Sequence, residues 1–268
     1  LVTMFLFYKR YQSLKLGTQI MFQVLLFGML FCVICDMLSI WAIVRLLLDY
    51  RGLVLAVCKL YLISLGLVGL LGLLYECSDV NEGQKKFLWA AAAGCGIWLA
   101  ESIVIACLPI GIYKMGRVVY TAGPAVLSTY AFAGGFVVFN IIFTIAHRKQ
   151  ANARRSQVIL CWMAIWFGAA FVQFLNNELL LMGYAGALGI LVIFFRLENP
   201  EYLTDRVTGL YNQEGLLLYA RKLYNREKNF SLLSVWWNLG VSQADEGERE
   251  QAVMLAFARR LPKLDNTR

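Results

Sequence analysis

Residues Thr18–Val44 read TQIMFQVLLFGMLFCVICDMLSIWAIV, and the only formal charge among them is Asp36. A helix needs about 20 apolar residues to cross the hydrocarbon core of a bilayer, and this run exceeds that. Five further runs qualify: Leu53–Tyr75, Phe87–Leu108, Ala125–Ala146, Val158–Leu175 and Leu179–Phe195. A seventh span is implied by Leu1–Tyr8, an apolar tail that stops at Lys9 and Arg10. The expected architecture is an α-helical membrane bundle over residues 1–197, with six complete transmembrane helices plus the tail of a seventh. Residues 198–268 are expected to begin an α/β domain.

Composition agrees with lipid as the solvent. The chain is 60% hydrophobic and 16% charged, with a mean hydropathy of +0.62, whereas soluble domains sit near 45–50% apolar and about 25% charged. A net charge of +8 in such a chain reads as basic cytoplasmic loops, not as a nucleic-acid surface. The chain opens at Leu1 and closes on Asn266-Thr267-Arg268 without a terminating element. A fragment cut at both ends is the expectation, and no signal peptide can be diagnosed.

Basic residues give the direction of the bundle. One set of alternate loops holds Lys9, Arg10, Lys15, Lys85, Lys86, Arg148, Lys149, Arg154 and Arg155; the other holds Arg45, Arg51, Lys114 and Arg117. Nine against four places the first set, and the C-terminus, in the cytoplasm. The expected location is the cell membrane, multi-pass, with the bilayer as partner. Small residues recur at helical spacing in Gly66, Gly69 and Gly72, in Gly183, Gly186 and Gly189, and in Ala90–Ala93 with Gly94 and Gly96, a pattern that lets membrane helices approach closely.

Ionisable groups in lipid are costly unless paired or wetted. Counted back from the outer ends at about 1.5 Å per residue, Asp36, Lys59 and Glu101 all lie roughly 9–12 Å deep, in one outer layer. Two readings stand: a polar pocket open to a small extracellular ligand, or a buried ion-paired cluster that fixes helix register. Asn140 and Gln173 are further candidates for the interior. The loop Pro109–Pro124 carries β-formers on both sides of Gly116, as Ile112-Tyr113-Lys114-Met115-Gly116-Arg117-Val118-Val119-Tyr120. That pattern predicts a hairpin over the outer face, acting as a lid on a pocket or as a plug on the helix ends.

The seven cysteines lie in or beside apolar runs. Cys32 and Cys35 have the CxxC spacing, but two thiols with no second pair cannot complete a zinc shell, and His147 is the only histidine. They read as small apolar residues, and no metal site is assigned.

After Leu197-Glu198-Asn199-Pro200 comes Asp205-Arg206-Val207-Thr208-Gly209-Leu210-Tyr211-Asn212-Gln213. Asn212 is placed to cap a helix over Gln213–Arg226, with Leu216, Leu217, Ala220, Leu223 and Tyr224 as its buried stripe. Phe230–Leu239 reads as an apolar strand, Gly240–Gly247 as a loop and Glu248–Leu261 as a second helix. Helix, strand, helix suits an α/β domain, although about 65 residues are too few to close its sheet. Asp205, Thr208, Gly209, Leu210 and Asn212 match the pattern D-x-L-T-G-L-x-N-R, with Val207 and Gln213 as departures.

This stretch resembles the opening of the GGDEF, or diguanylate cyclase, domain. The apolar part resembles, in architecture alone, the seven-helix sensor modules that precede bacterial histidine kinases and cyclases. The resemblance implies a homodimer in which two GTP molecules condense to cyclic di-GMP. It further implies a divalent metal held by an Asp at the end of the first strand and by the GGDEF hairpin. Here Trp236 stands at the place of that Asp, followed by Trp237 and Asn238. An indole cannot ligate magnesium, which takes hard oxygen donors. Leu239–Ala244 offers no Asn for guanine, and the GGDEF hairpin would fall beyond Arg268. Asp245, Glu246 and Glu248 read as a solvated charged turn. No catalytic residue is assigned, and magnesium and GTP are cofactors only if the domain is active. The leading expectation is a membrane sensor with a degenerate GGDEF domain, linked to cyclic di-GMP signalling. The alternatives are an active diguanylate cyclase and a transporter with a regulatory tail, and none involves nucleic acid.

Overall fold

A computed structural model describes residues 17–80, 85–115, 118–147, 153–176, 179–199, 203–205, 207–208, 210–225, 231, 233–234 and 252–256. The chain divides into two units, Leu1–Glu198 and Asn199–Arg268. In the first unit the order is α1 (Gly17–Leu46), α2 (Arg51–Val80), α3 (Lys85–Cys107), β1 (Gly111–Met115), β2 (Val118–Ala122), α4 (Pro124–His147), α5 (Ala153–Leu175) and α6 (Met182–Ile193), ending in a π-helix (Phe194–Glu198). Hydrocarbon offers no hydrogen bonds, so an apolar run must satisfy its own backbone, and a helix does so within one segment.

Among the described residues five helices are long and apolar enough to cross a membrane: Thr18–Leu46, Arg51–Ser78, Phe87–Cys107, Pro124–Ala146 and Arg155–Leu175. They follow the first five apolar runs to within a few residues, and the chain is a multi-pass membrane protein. The expected count of six spans plus the tail of a seventh is corrected. The sixth run, Leu179–Phe195, gives an α-helix of only 12 residues, Met182–Ile193, which continues as the π-helix Phe194–Glu198 to the end of the bundle away from the hairpin and is not among the five. The implied seventh, Leu1–Tyr8, lies outside the described residues.

Helix α2 is the central column and packs on α1, α3 and α4. Its apolar window is 56% buried, against 39% or less in the other four spans. From α4 the packing passes to α5, then α6, and α6 returns to α1. The glycine series prove to be sockets for side chains as much as seams between backbones. A methyl on Gly72 would lie 2.8 Å from Trp162 Cζ3, and one on Gly189 3.0 Å from Trp162 Cγ. The fully buried Trp162 of α5 is thus seated in notches on both α2 and α6. Gly186 receives Met29, and Gly69 receives Phe136.

Between α3 and α4, β1 and β2 pair antiparallel from Gly111↔Ala122 to Met115↔Val118, as the β-formers around Gly116 predict. The chain leaves β2 through Gly123, whose φ of +123° suits a residue without Cβ. Pro124 follows at the first helical position, where its missing N–H costs nothing.

The second unit corrects the α/β expectation. Its described residues form α7 (Gln213–Asn225), a helical segment at 252–256 and one isolated bridge, Thr204↔Tyr211. Ser231, Leu233 and Ser234, the described part of the expected strand Phe230–Leu239, are not in a strand, and Leu233 is 86% exposed. A core strand would bury that side chain against a paired neighbour. The expected stripe on α7 is likewise open: Leu216, Leu217 and Tyr224 are exposed. The hairpin is the one sheet among the described residues, and nothing in them builds the beginning of a GGDEF-like domain.

Candidate functional site

Under the hairpin lies a cavity with about 40 Å³ of room for water-sized groups, space for about three waters at 10–15 Å³ each. Tyr61 of α2, Tyr120 of β2, Thr129 and Tyr130 of α4, Gln173 of α5 and Met182 of α6 are among its walls. Polar hydroxyls and one carboxamide thus converge where five elements meet, and the hairpin supplies the cover through Tyr120 and Thr121.

The walls of this cavity bear on the start of α6. The Gln173 side-chain oxygen accepts hydrogen bonds from the backbone N–H groups of Leu181 (2.9 Å) and Met182 (3.2 Å). These are donors that a helix cannot satisfy internally. Asp36 faces the same terminus, since a methyl on Gly183 would lie 3.2 Å from its Oδ2. A carboxylate is favoured at the positive end of a helix dipole. The Tyr61 hydroxyl faces the Asp36 carboxylate in turn, which ties cavity, Asp36 and α6 together.

Lys59 and Glu101 do not join Asp36. Lys59 Nζ donates to the carbonyl of Ala106 at 2.6 Å, placing a cation at the C-terminal end of α3, where the dipole favours it. Glu101 is fully buried against Gly66, with a methyl at that glycine 2.7 Å from Oε1. Neither of its oxygens has a hydrogen-bond partner among the described residues. No ion pair joins the three among the described residues. Asn140 and Gln173 do face the interior: Asn140 is buried and donates to the carbonyl of Phe136 at 2.8 Å.

The end of the bundle away from the hairpin holds a polar network with no counterpart in the sequence reading. Tyr75 donates its hydroxyl to Glu198 Oε1 at 2.6 Å, both side chains buried. Arg155 lies over the Tyr75 ring at 4.5 Å and approaches Glu198 Oε1 at 3.9 Å. Beside it Thr144 Oγ1 donates to the buried carboxylate of Glu76. Glu198 closes the π-helix, a geometry that clusters at functional sites, and the chain leaves the bundle directly after it. A signal was present in the sequence: Glu76, Arg155 and Glu198 are charged residues at or near the ends of apolar runs.

In the second unit Asp205–Asn212 forms a self-contained turn. Asp205 Oδ1 accepts from Val207 N (3.1 Å), Thr208 N (2.8 Å) and Thr208 Oγ1 (2.9 Å). Those bonds, the backbone N–H of Thr208 foremost, hold the Asp205 carboxyl below its usual range. Leu210 returns its carbonyl to Asp205 N at 2.8 Å. Asn212 Oδ1 accepts from Gly215 N at 2.9 Å, the cap expected for the helix that follows. Gly209 and Trp236 lie outside the described residues.

The cysteines stay unpaired among the described residues. Cys32, Cys35, Cys58 and Cys77 are buried, and Cys95, Cys107 and Cys161 face outward. No group of three His, Cys, Asp or Glu converges to hold a metal ion among the described residues.

No protein-family model, curated protein or solved structure matches the chain. The cyclase resemblance therefore rests on residues 205–213 of the sequence alone, and function has to be argued from the geometry of the bundle.

Proposed function

We propose that the protein is a membrane receptor in which α6 carries the state of the hairpin-covered cavity to the C-terminal segment. The observation that carries this reading is that α6 and the π-helix continuing it are gripped at their two outer ends by polar side chains of other helices. Gln173 and Asp36 hold its start beside the cavity, and Tyr75 and Arg155 hold Glu198 where the chain leaves the bundle. A group that enters the cavity meets Tyr61, Gln173 and Met182, and so acts on the start of α6 by contact. The excess of basic residues in one set of loops supports a hairpin end outside the cell and a C-terminus in the cytoplasm. The sequence likeness of Asp205–Asn212 to the cyclase entry pattern supports an output in cyclic di-GMP signalling. In the sequence likeness Trp236 falls where a metal-binding Asp is expected, which supports an output without synthesis.

A nitroxide at position 195, on the exposed Phe195, tests the relay in the full chain, with Cys95, Cys107 and Cys161 replaced by alanine. Gln173→Leu at the far end is expected to change the label's mobility in the same sense as Tyr75→Phe beside it. A label that responds to Tyr75→Phe and ignores Gln173→Leu means that the two ends are uncoupled, and the receptor reading fails. Incubation with GTP and Mg²⁺ is expected to yield no cyclic di-GMP, and product would overturn the non-synthetic output.

A further inference from the structure

A second hollow lies between α4 and α5, on the outer surface of the spans. It has about 150 Å³ of room and is walled by Gly134, Val137, Trp166, Phe167, Phe171 and Phe174, among others. Phe167, Phe171 and Phe174 are about half exposed, and in a membrane that exposure is to hydrocarbon. Tyr130, Ala133 and Met182 line both this groove and the cavity under the hairpin. The two hollows are therefore neighbours across a shared wall made of three side chains, one hollow aromatic and open to lipid, the other polar and uncharged.

From this adjacency we propose that the ligand is a neutral single-chain amphiphile that enters sideways from the bilayer, parting the shared side chains. Its tail lies in the groove between α4 and α5, and its uncharged oxygen head reaches Tyr130, Thr129 and Gln173. The inference deepens the receptor reading and rests on it for the ligand's role, though not for its binding. The sizes fit the division of labour. An apolar cavity of ~150 Å³ holds a molecule the size of benzene, so the groove takes a short stretch of chain, and the polar cavity admits only a head of a few atoms. A charged head is disfavoured because every polar lining group is a hydroxyl or an amide, and an ion moved out of water without a counter-charge is costly. Gly134 opens the groove, since a Cβ there would meet nothing within 4 Å. Phe171 and Phe174 of α5 form the opposite bank.

The test uses the full chain in nanodiscs and a decanol that bears a photoreactive diazirine on its chain. Irradiation and peptide mapping are expected to place the label on the facing parts of α4 and α5, with competition by unlabelled decanol and none by decane. Gly134→Leu is expected to lower the labelling about tenfold by filling the groove. Tyr130→Phe, which keeps the ring, is expected to lower it about fivefold for the alcohol. If Gly134→Leu fails to fold by circular dichroism, Ala170→Leu fills the same groove from the other wall. Label spread evenly over the lipid-facing sides of all five spans, or undiminished by the filling variants, overturns the proposal. Occupancy is read without any output. Labelling as expected together with a label at position 195 that ignores decanol would remove the receptor reading and leave the lipid-side site standing.

Discussion

Tyr75→Phe removes one oxygen from the fold and almost nothing else. The ring keeps its place against Phe22, at 6.1 Å between centroids, and under the Arg155 guanidinium at 4.5 Å. The cation–π attraction, about 0.5–2 kcal/mol, therefore survives. What is lost is a 2.6 Å hydrogen bond from a buried hydroxyl to the Glu198 carboxylate, and such bonds to charged acceptors contribute about 1.5–3 kcal/mol. Arg155 remains 3.9 Å from the same carboxylate, with side-chain exposures of 11% and 4%, and offsets part of the loss. The expected destabilisation is about 1.5–2 kcal/mol, a 10- to 30-fold change in the population of the held state. The assay is unfolding of the reconstituted chain by titration with dodecyl sulfate, as a double-mutant cycle with Glu198→Ala. A coupling of about 1 kcal/mol or more is expected. Additive single effects, or a change below about 0.5 kcal/mol for Tyr75→Phe, would show that Glu198 is not held by this bond and refute the argument.

Gly66→Ala is expected to cost about 1–3 kcal/mol by the same titration, because the new methyl meets the Glu101 carboxylate in a packed seam. Glu101→Ala in the same chain should restore most of that loss, and failure to do so would place the collision elsewhere. Gln173→Leu leaves the Leu181 and Met182 N–H groups without their acceptor and is expected to cost about 1 kcal/mol, read as faster amide exchange at the start of α6. Asp205 sits below its usual carboxylate range because Thr208 hydrogen-bonds its charged form. Its contribution to the turn is therefore present above the unfolded value of ~3.9 and lost as pH falls through the lower folded one. Protection of the Thr208 amide should hold at neutral pH and disappear in that acid window, and Asp205→Ala should abolish it at every pH.

What could be read in advance followed a local rule. Five spans were legible because lipid demands an unbroken apolar run, and Thr18–Val44 leaves no other reading. The hairpin was legible from β-formers around Gly116, and the cap from Asn212 ahead of an apolar-periodic stretch. The sixth run misled because composition carries no information on where a helix starts. The acceptor at Gln173 fixes the first turn at Leu181 and Met182, and the regular α-helix gives way at Phe194. Asp36, Lys59 and Glu101 shared a depth, but depth says nothing of azimuth, and the three point to α6, the end of α3 and Gly66 respectively. The Tyr75–Arg155–Glu198 contact joins residues 80 and 123 positions apart, beyond the reach of any local pattern.

Trp162 engages α2 and α6 like one gear tooth meshed with two wheels. The adjoining notches on those helices, Gly69 and Gly186, are already filled by Phe136 and Met29. A partial turn of α6 would drive the indole into an occupied place, so three large side chains must change seats together. Packed interfaces of this kind hold discrete arrangements and do not deform by degrees. A rotation of this helix would therefore go by a click and not a slide, and a graded stimulus acting on it would change the fraction of molecules in each seating.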